Sequence, residues 1–354
     1  MRVIPSLTRA IKCIENTISE LSLNLSGMSV LTEVGSGPYM LTPLIAAIGG
    51  ADRVYSIGKD SRFGTADELY KTLREYTESI GVDDKVFFSS KVTKEFAENS
   101  NIVTNLGFVR PINDSFLKFL PKDSMVSLMW EPWEFRENDI DLNACKKRHI
   151  PVVATNERDP RLNIFKYVGL TVLKLLFESE IEVFKSKVLI VGSGEFLKET
   201  AEVLKDNRSN VHVLIVDEKY HENSKTVMTK VNSFDAVVLV EHHSKQLLIG
   251  DYGLSVDWIN SAESQLIHLC GNVDYRQCND LKLSRQPAIE VSPGYMTVAT
   301  DYVGARPVID LHAAGLKVGQ EVIEALRKNT SRKKTREDYI RSPLVLELPG
   351  YIYK

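Results

Sequence analysis

The chain predicts an α/β protein of two doubly wound, parallel-sheet lobes, with a C-terminal helix returning to the first lobe. Three observations carry this. Strand-forming runs alternate with helical ones along most of the 354 residues, a pattern that points to mostly parallel sheets. A glycine-rich turn from strand to helix occurs twice, as Glu33-Val-Gly35-Ser-Gly37 and as Val191-Gly192-Ser-Gly194. One turn lies early in each half, and a chain of this length suits two domains rather than one.

The elements follow in order. Residues 6–25 place apolar side chains at helical spacing and read as an amphipathic helix. Residues 28–34 are the first strand, and 38–48 a helix opened by Pro38 and closed by Gly49-Gly50. A strand at 53–57 and a helix at 65–80 with a polar face come next. Short strands follow at 85–89, 101–106 and 124–130, then a short helix at 140–147. The stretch from Pro151 to Pro160 is bracketed by prolines and reads as the crossing into the second lobe. An apolar helix at 162–178 is expected to wedge between the lobes. The second lobe then runs strand 188–191, helix 196–206, strand 211–216, and strands at 236–240 and 266–269. Residues 297–327 are mostly helical and long enough to reach back to the first lobe. The expected boundaries are 1–155, 156–300 and 301–354, and the basic run 327–336 reads as a solvated link.

Composition narrows the function. With 44 basic and 47 acidic residues the net charge is −3, which argues against a nucleic-acid binder. No apolar run is long enough to span a bilayer, and the N-terminus lacks the pattern of a signal peptide. Cys13, Cys145, Cys270 and Cys278 are scattered and form no C-x-x-C pair, so no metal knuckle or disulfide framework is indicated. A cytoplasmic protein that takes a small-molecule substrate, with a homodimer open, is the expectation.

At the second turn, Gly192, Ser193 and Gly194 allow a tight bend and close approach of a pyrophosphate to the amides. Glu195 and Phe196 open the helix whose N-terminus would stabilise the anion. Asp217 closes the next strand, at the spacing where an acid accepts hydrogen bonds from an adenosine ribose. A carboxylate there favours NAD over NADP. Leu197 stands at the third glycine position and Glu195 beside the phosphates. A ligand-free tight turn stays open as the alternative.

Glu33-Val-Gly35-Ser-Gly37-Pro38 at the first turn resembles the opening motif of class I methyltransferases. In that family an acid and glycines line an S-adenosylmethionine pocket. Lys59 precedes the nearest following acid, Asp60, and Pro38-Tyr39 crowds the turn. The same residues also suit a plain turn between a buried strand and a helix.

From residue 101 onward the order of elements resembles the D-hydroxyacid dehydrogenase superfamily. Residues 103–108 are similar to its substrate-facing loop and 139–156 to its helix and crossing segment. The resemblance implies two Rossmann-type lobes, NAD on the second, and a substrate carboxylate held by first-lobe amides. It also implies a catalytic arginine and histidine. Cys270 stands where the arginine would be, and Gly294 follows the proline where the histidine would be. Without the imidazole the family's reaction lacks its general base, and without the arginine its clamp.

Glu241, His242 and His243 follow an apolar strand and are the candidate catalytic residues, since strand ends face the cleft in such sheets. Asn105, Gly107, Trp130, Glu131, Trp133 and Tyr295 are the substrate-side candidates. The tryptophans would form a stacking wall with acids above it, suited to a cationic or aromatic group. Wedging of the tryptophans between lobes is the alternative. His268 and His312 sit in apolar surroundings, where packing is expected. The expected protein is an NAD-dependent oxidoreductase, with a methyltransferase or a non-catalytic dinucleotide-binding protein as alternatives.

Overall fold

A computed structural model describes residues 2–230, 233–328, 340 and 342–348. It divides into two units, Met1–Asn163 with Gly304–Lys354, and Ile164–Val303. Most of the basic run 327–336 lies outside the described residues.

Unit 1 begins with α1 (Leu7–Leu21), β1 (Ser29–Glu33), α2 (Leu41–Ile48), β2 (Arg53–Ile57), α3 (Ala66–Ile80) and β3 (Val86–Ser89). It continues with α4 (Lys94–Glu98), β4 (Ile102–Thr104), α5 (Asp114–Leu117), β5 (Met125–Ser127), α6 (Leu142–Arg148) and β6 (Val152–Thr155). Local chemistry sets the helix starts. The Ser6 hydroxyl accepts from the Arg9 amide to open α1, and Thr65 and Glu68 form a reciprocal capping box on α3.

Unit 2 holds α7 (Lys166–Glu178), β7 (Lys187–Gly192), α8 (Gly194–Asp206), β8 (Asn210–Ile215), α9 (Tyr220–Lys230) and β9 (Ala236–Val240). After these come β10 (Leu247–Ile249), α10 (Val256–Ser261), β11 (Gln265–Cys270), β12 (Asn272–Val273), α11 (Tyr275–Asp280) and β13 (Arg285–Gln286). The chain then returns to unit 1 with α12 (Arg306–Lys328) and β14 (Val345–Glu347).

The unit 1 sheet has the order β14-β6-β5-β4-β1-β2-β3, parallel except for β14, which runs antiparallel to β6. The strand order reverses between β1 and β4, so a crevice opens beyond their carboxyl ends. α12 closes one face: the Ser127 hydroxyl donates to the Gly315 carbonyl at 2.7 Å, and Thr17 of α1 donates to Asp310 at 2.7 Å. Unit 2 has an all-parallel sheet, β13-β11-β9-β7-β8, which reverses between β7 and β9. Every residue of β9 is buried, as expected of a strand covered on both faces.

One expected element is corrected. Residues 152–155, read as part of a crossing, form β6 inside the sheet, with Val152 opposite Val126 and Thr155 opposite Val345. All four are buried, and a short run buried on both faces carries no periodicity to reveal it. The apolar helix after it starts at Lys166, not 162, because Asn163 takes a left-handed conformation with φ of 44°.

Candidate functional site

In unit 2 the reversal of strand order brings two separate sequence signals together. Gly192 ends β7 and stands in register with Val240, which ends β9. The glycine turn and the Glu241–His243 loop therefore flank one crevice. A Cβ on Gly192 would lie 2.9 Å from the Val240 carbonyl oxygen, so only glycine permits this approach of backbones. Gly194 is the first residue of α8 and has φ of +59°. Ser193, the residue before it, makes no side-chain capping bond.

The two histidines sit over this turn. His243 Nε2 would be 3.4 Å from a Cβ on Gly194. The His242 ring stacks on Phe196 at 3.8 Å between centroids, and the two imidazoles are also 3.8 Å apart. Glu241 is fully buried, and one carboxylate oxygen accepts from the amides of His243 and Ser244 at 2.7 Å each. Its geometry is that of a clamp which shapes the loop. Asp217 is exposed just past β8, adjacent to β7, where the Val216 amide donates to the Gly192 carbonyl. Its carboxylate also accepts from the Lys219 amide at 2.9 Å. Glu195 opens α8 beside Lys198, 3.9 Å away. Leu197, at the third glycine position, is accommodated against the apolar core under the sheet.

The first turn is built differently. The Gly35 amide donates to the Tyr39 carbonyl and the Gly37 amide to the Arg2 carbonyl. Asp60 accepts from the Ala66 amide at the start of α3. Across the unit 1 crevice the Glu33 carboxylate accepts from the Phe108 amide at 3.0 Å. Burial pushes the Glu33 carboxyl above its ordinary range, opposed by that bond and by Arg110.

The substrate-side candidates of unit 1 are mostly engaged within the chain. The Asn105 side-chain oxygen accepts from the Met129 amide at 3.1 Å. The Arg110 guanidinium lies 4.8 Å from the Trp130 ring centre and pairs with Asp139 at 2.7 Å. Glu131 is buried and paired with Arg158 at 2.7 Å. Glu134 is hydrogen-bonded to Glu157, and burial, with the charge of Glu131, pushes its carboxyl up to about 7. Gly107 and Trp133 keep exposed surface. Tyr295 is half-exposed in unit 2.

The two apolar histidines are core residues. His268 is buried with Nε2 3.0 Å from the Gly271 carbonyl. His312 has Nδ1 2.7 Å from the Thr42 hydroxyl. Burial lowers them to about 4 and about 3. Cys270 is buried and its thiol held well above the ordinary range by desolvation. Among the described residues no cluster of three or more His, Cys, Asp or Glu is placed to hold a metal ion, and no helix is long and apolar enough to cross a membrane.

No protein-family model matches the chain, and no curated protein matches it in sequence. Solved structures do. Dipicolinate synthase from Bacillus subtilis has a TM-score of 0.54 at 12% identity, over 86% of this chain and 99% of that one. Its counterpart from Bacillus halodurans gives 0.49 at 10%, over 86% and 99%. A 2-hydroxyacid dehydrogenase from Ketogulonicigenium vulgare Y25 gives 0.42 at 14%, over 91% and 98%. The likeness is one of fold: the chain shares the α/β architecture of the dipicolinate synthase A chain.

Proposed function

We propose that the protein is an NAD-dependent oxidoreductase acting on a small molecule, with the dinucleotide on unit 2 at Gly192–Phe196. The observation that carries this is the meeting of the glycine turn and the Glu241–His243 loop at the reversal between β7 and β9. Gly192 and Gly194 leave room for a pyrophosphate against the α8 amides, and Ser193 does not cap them. Asp217 stands where a ribose hydroxyl would be received. When bound, the cofactor would supply the hydride acceptor or donor.

His243 is assigned to the phosphates rather than to proton transfer, because its ring lies beside Gly194. His242 holds Phe196 and His243 in place, and Glu241 holds the loop. Gly107, Trp133 and Tyr295, which keep accessible surface, are the remaining substrate-side candidates. A methyl-donor site at the Glu33 turn has less support, since Gly35 and Gly37 direct their amides into the chain.

A thermal-shift panel of NAD, NADH, NADP, S-adenosylmethionine and S-adenosylhomocysteine tests this, since a ligand that binds the folded state raises its melting temperature. NAD or NADH is expected to shift the full chain, and NADP less. A shift with the adenosyl pair alone refutes the reading. Binding of NAD with no turnover on any carbonyl or hydroxyl compound would make the protein a dinucleotide-binding protein without the reaction.

A further inference from the structure

We propose that unit 1 carries a ligand site of its own, a basic pocket that takes a phosphorylated small molecule with a flat or apolar body. The inference is independent of the reading of unit 2. The pocket encloses about 290 Å³ beyond the carboxyl ends of β2, β3 and β4, where parallel sheets commonly receive ligands. Lys59 follows β2, Lys91 follows β3, Lys94 opens α4 and Arg110 follows β4, and all four line it. No aspartate or glutamate is among its lining residues, although acids outnumber bases in the chain as a whole, 47 to 44.

The local charges are only partly matched. Arg110 pairs with Asp139 at 2.7 Å, and Lys94 reaches Glu98 on its own helix at 3.3 Å. Among the described residues Lys59 and Lys91 have no carboxylate within 4.0 Å. Glu33 lies close enough to feel Lys59 and Arg110, but its carboxylate is turned to the Phe108 amide. Cations that converge on a concave wall concentrate positive potential there. A phosphate, with its double charge and three acceptor oxygens, matches several donors at once, whereas a single carboxylate would leave some unanswered. The remaining wall includes Val92 and Phe116. It suits a ring or a short apolar group attached to the phosphate.

The test is titration calorimetry of the full chain with inorganic phosphate and with phenyl phosphate, over a series of salt concentrations. Phenyl phosphate is expected to bind more tightly than phosphate and to weaken as salt rises. Lys59→Gln combined with Lys91→Gln should weaken both probes by about tenfold per lysine removed. Phe116→Ala should weaken phenyl phosphate and leave phosphate unchanged. Lys59→Arg, which keeps the charge, should retain binding, and the melting temperature of each variant reports its folding. Lys71→Gln, exposed on α3 and outside the pocket lining, should bind both probes like the parent. The proposal falls if neither probe binds at millimolar concentration, or if the double lysine variant binds like the parent. It also falls if Lys71→Gln weakens both probes as much as the double variant does, since the effect would then be one of overall charge and not of the pocket.

Discussion

Gly192 and Gly194 stand two positions apart in one turn, yet the structure gives them different reasons to be glycine, and substitution by alanine separates the two. At Gly194 the backbone has φ of +59°. An L-residue in that conformation costs about 1–2 kcal/mol. The added methyl would meet only the rings of His243, at 3.4 Å, and His242, at 3.9 Å, so strain is the main penalty. For a domain of this size that is a fall in melting temperature of about 3–8 °C. At Gly192 the added methyl would stand 2.9 Å from the Val240 carbonyl oxygen and 3.1 Å from its carbonyl carbon. Those atoms belong to the neighbouring strand and cannot swing aside, so overpacking costs about 1–3 kcal/mol or more. Differential scanning fluorimetry with and without NAD reads both effects. In the parent, NAD at about a hundred times its dissociation constant adds about 2.7 kcal/mol. Gly194→Ala should melt slightly lower without ligand and lose most of that gain, because its methyl enters the space beside the amides. Gly192→Ala should melt lower still. A Gly194→Ala protein with the full NAD response would refute the assignment of this turn to phosphate.

Two further predictions concern pH and have opposite signs. His268 and His312 are held neutral by burial, at about 4 and about 3 against an ordinary 6.5. Their contribution is complete above about pH 6.5 and declines as pH falls towards those values, by about 2 kcal/mol each near pH 5. Urea unfolding from neutral to acid pH should show this decline, and His312→Gln should make it shallower; an unchanged slope would contradict the burial argument. Glu134 is raised from 4.5 to about 7, so its contribution is complete below about pH 4.5 and is lost as pH rises through about 7. Glu134→Gln should therefore be more stable than the parent at mildly alkaline pH. A variant less stable there would show that the carboxylate is stabilised, not strained, beside Glu157.

The fold class was legible because buried parallel strands are written as unbroken apolar runs. Residues 236–240 and 188–191 lie within β9 and β7. The helix at 65–80 was legible from its polar face, and the Thr65–Glu68 capping box that opens α3 needs no tertiary partner. What escaped was short or distant. β6 has four buried residues and no period, and β14 pairs with it only because the chain returns after α12. The site was legible in pieces for the same reason. Gly194 demands a left-handed backbone, which its sequence context suggests. That His243 lies beside it depends on β9 being the neighbour of β7, which no local pattern encodes. The basic pocket was missed because Lys59, Lys91 and Arg110 follow three different strands.

Strand order and amide accounting together explain why two similar motifs should differ in role. Both turns follow a strand that borders a reversal in its sheet, β1 beside β4 and β7 beside β9, so position alone does not distinguish them. Hydrogen bonding does. At the first turn the Gly35 and Gly37 amides end on Tyr39 and Arg2, and Glu33 spans the crevice to Phe108. An anion there would have to displace protein carbonyls and face a carboxylate. At the second turn the helix begins on Gly194 behind an uncapped Ser193, and an imidazole stands beside it. A phosphate there would meet first-turn amides that no intrahelical carbonyl can reach, and each such charge-assisted bond would contribute about 1.5–3 kcal/mol. The first unit has cations one and two strands further out, at Lys59 after β2 and Lys91 after β3. An anion drawn to unit 1 would settle there and not on its glycine turn.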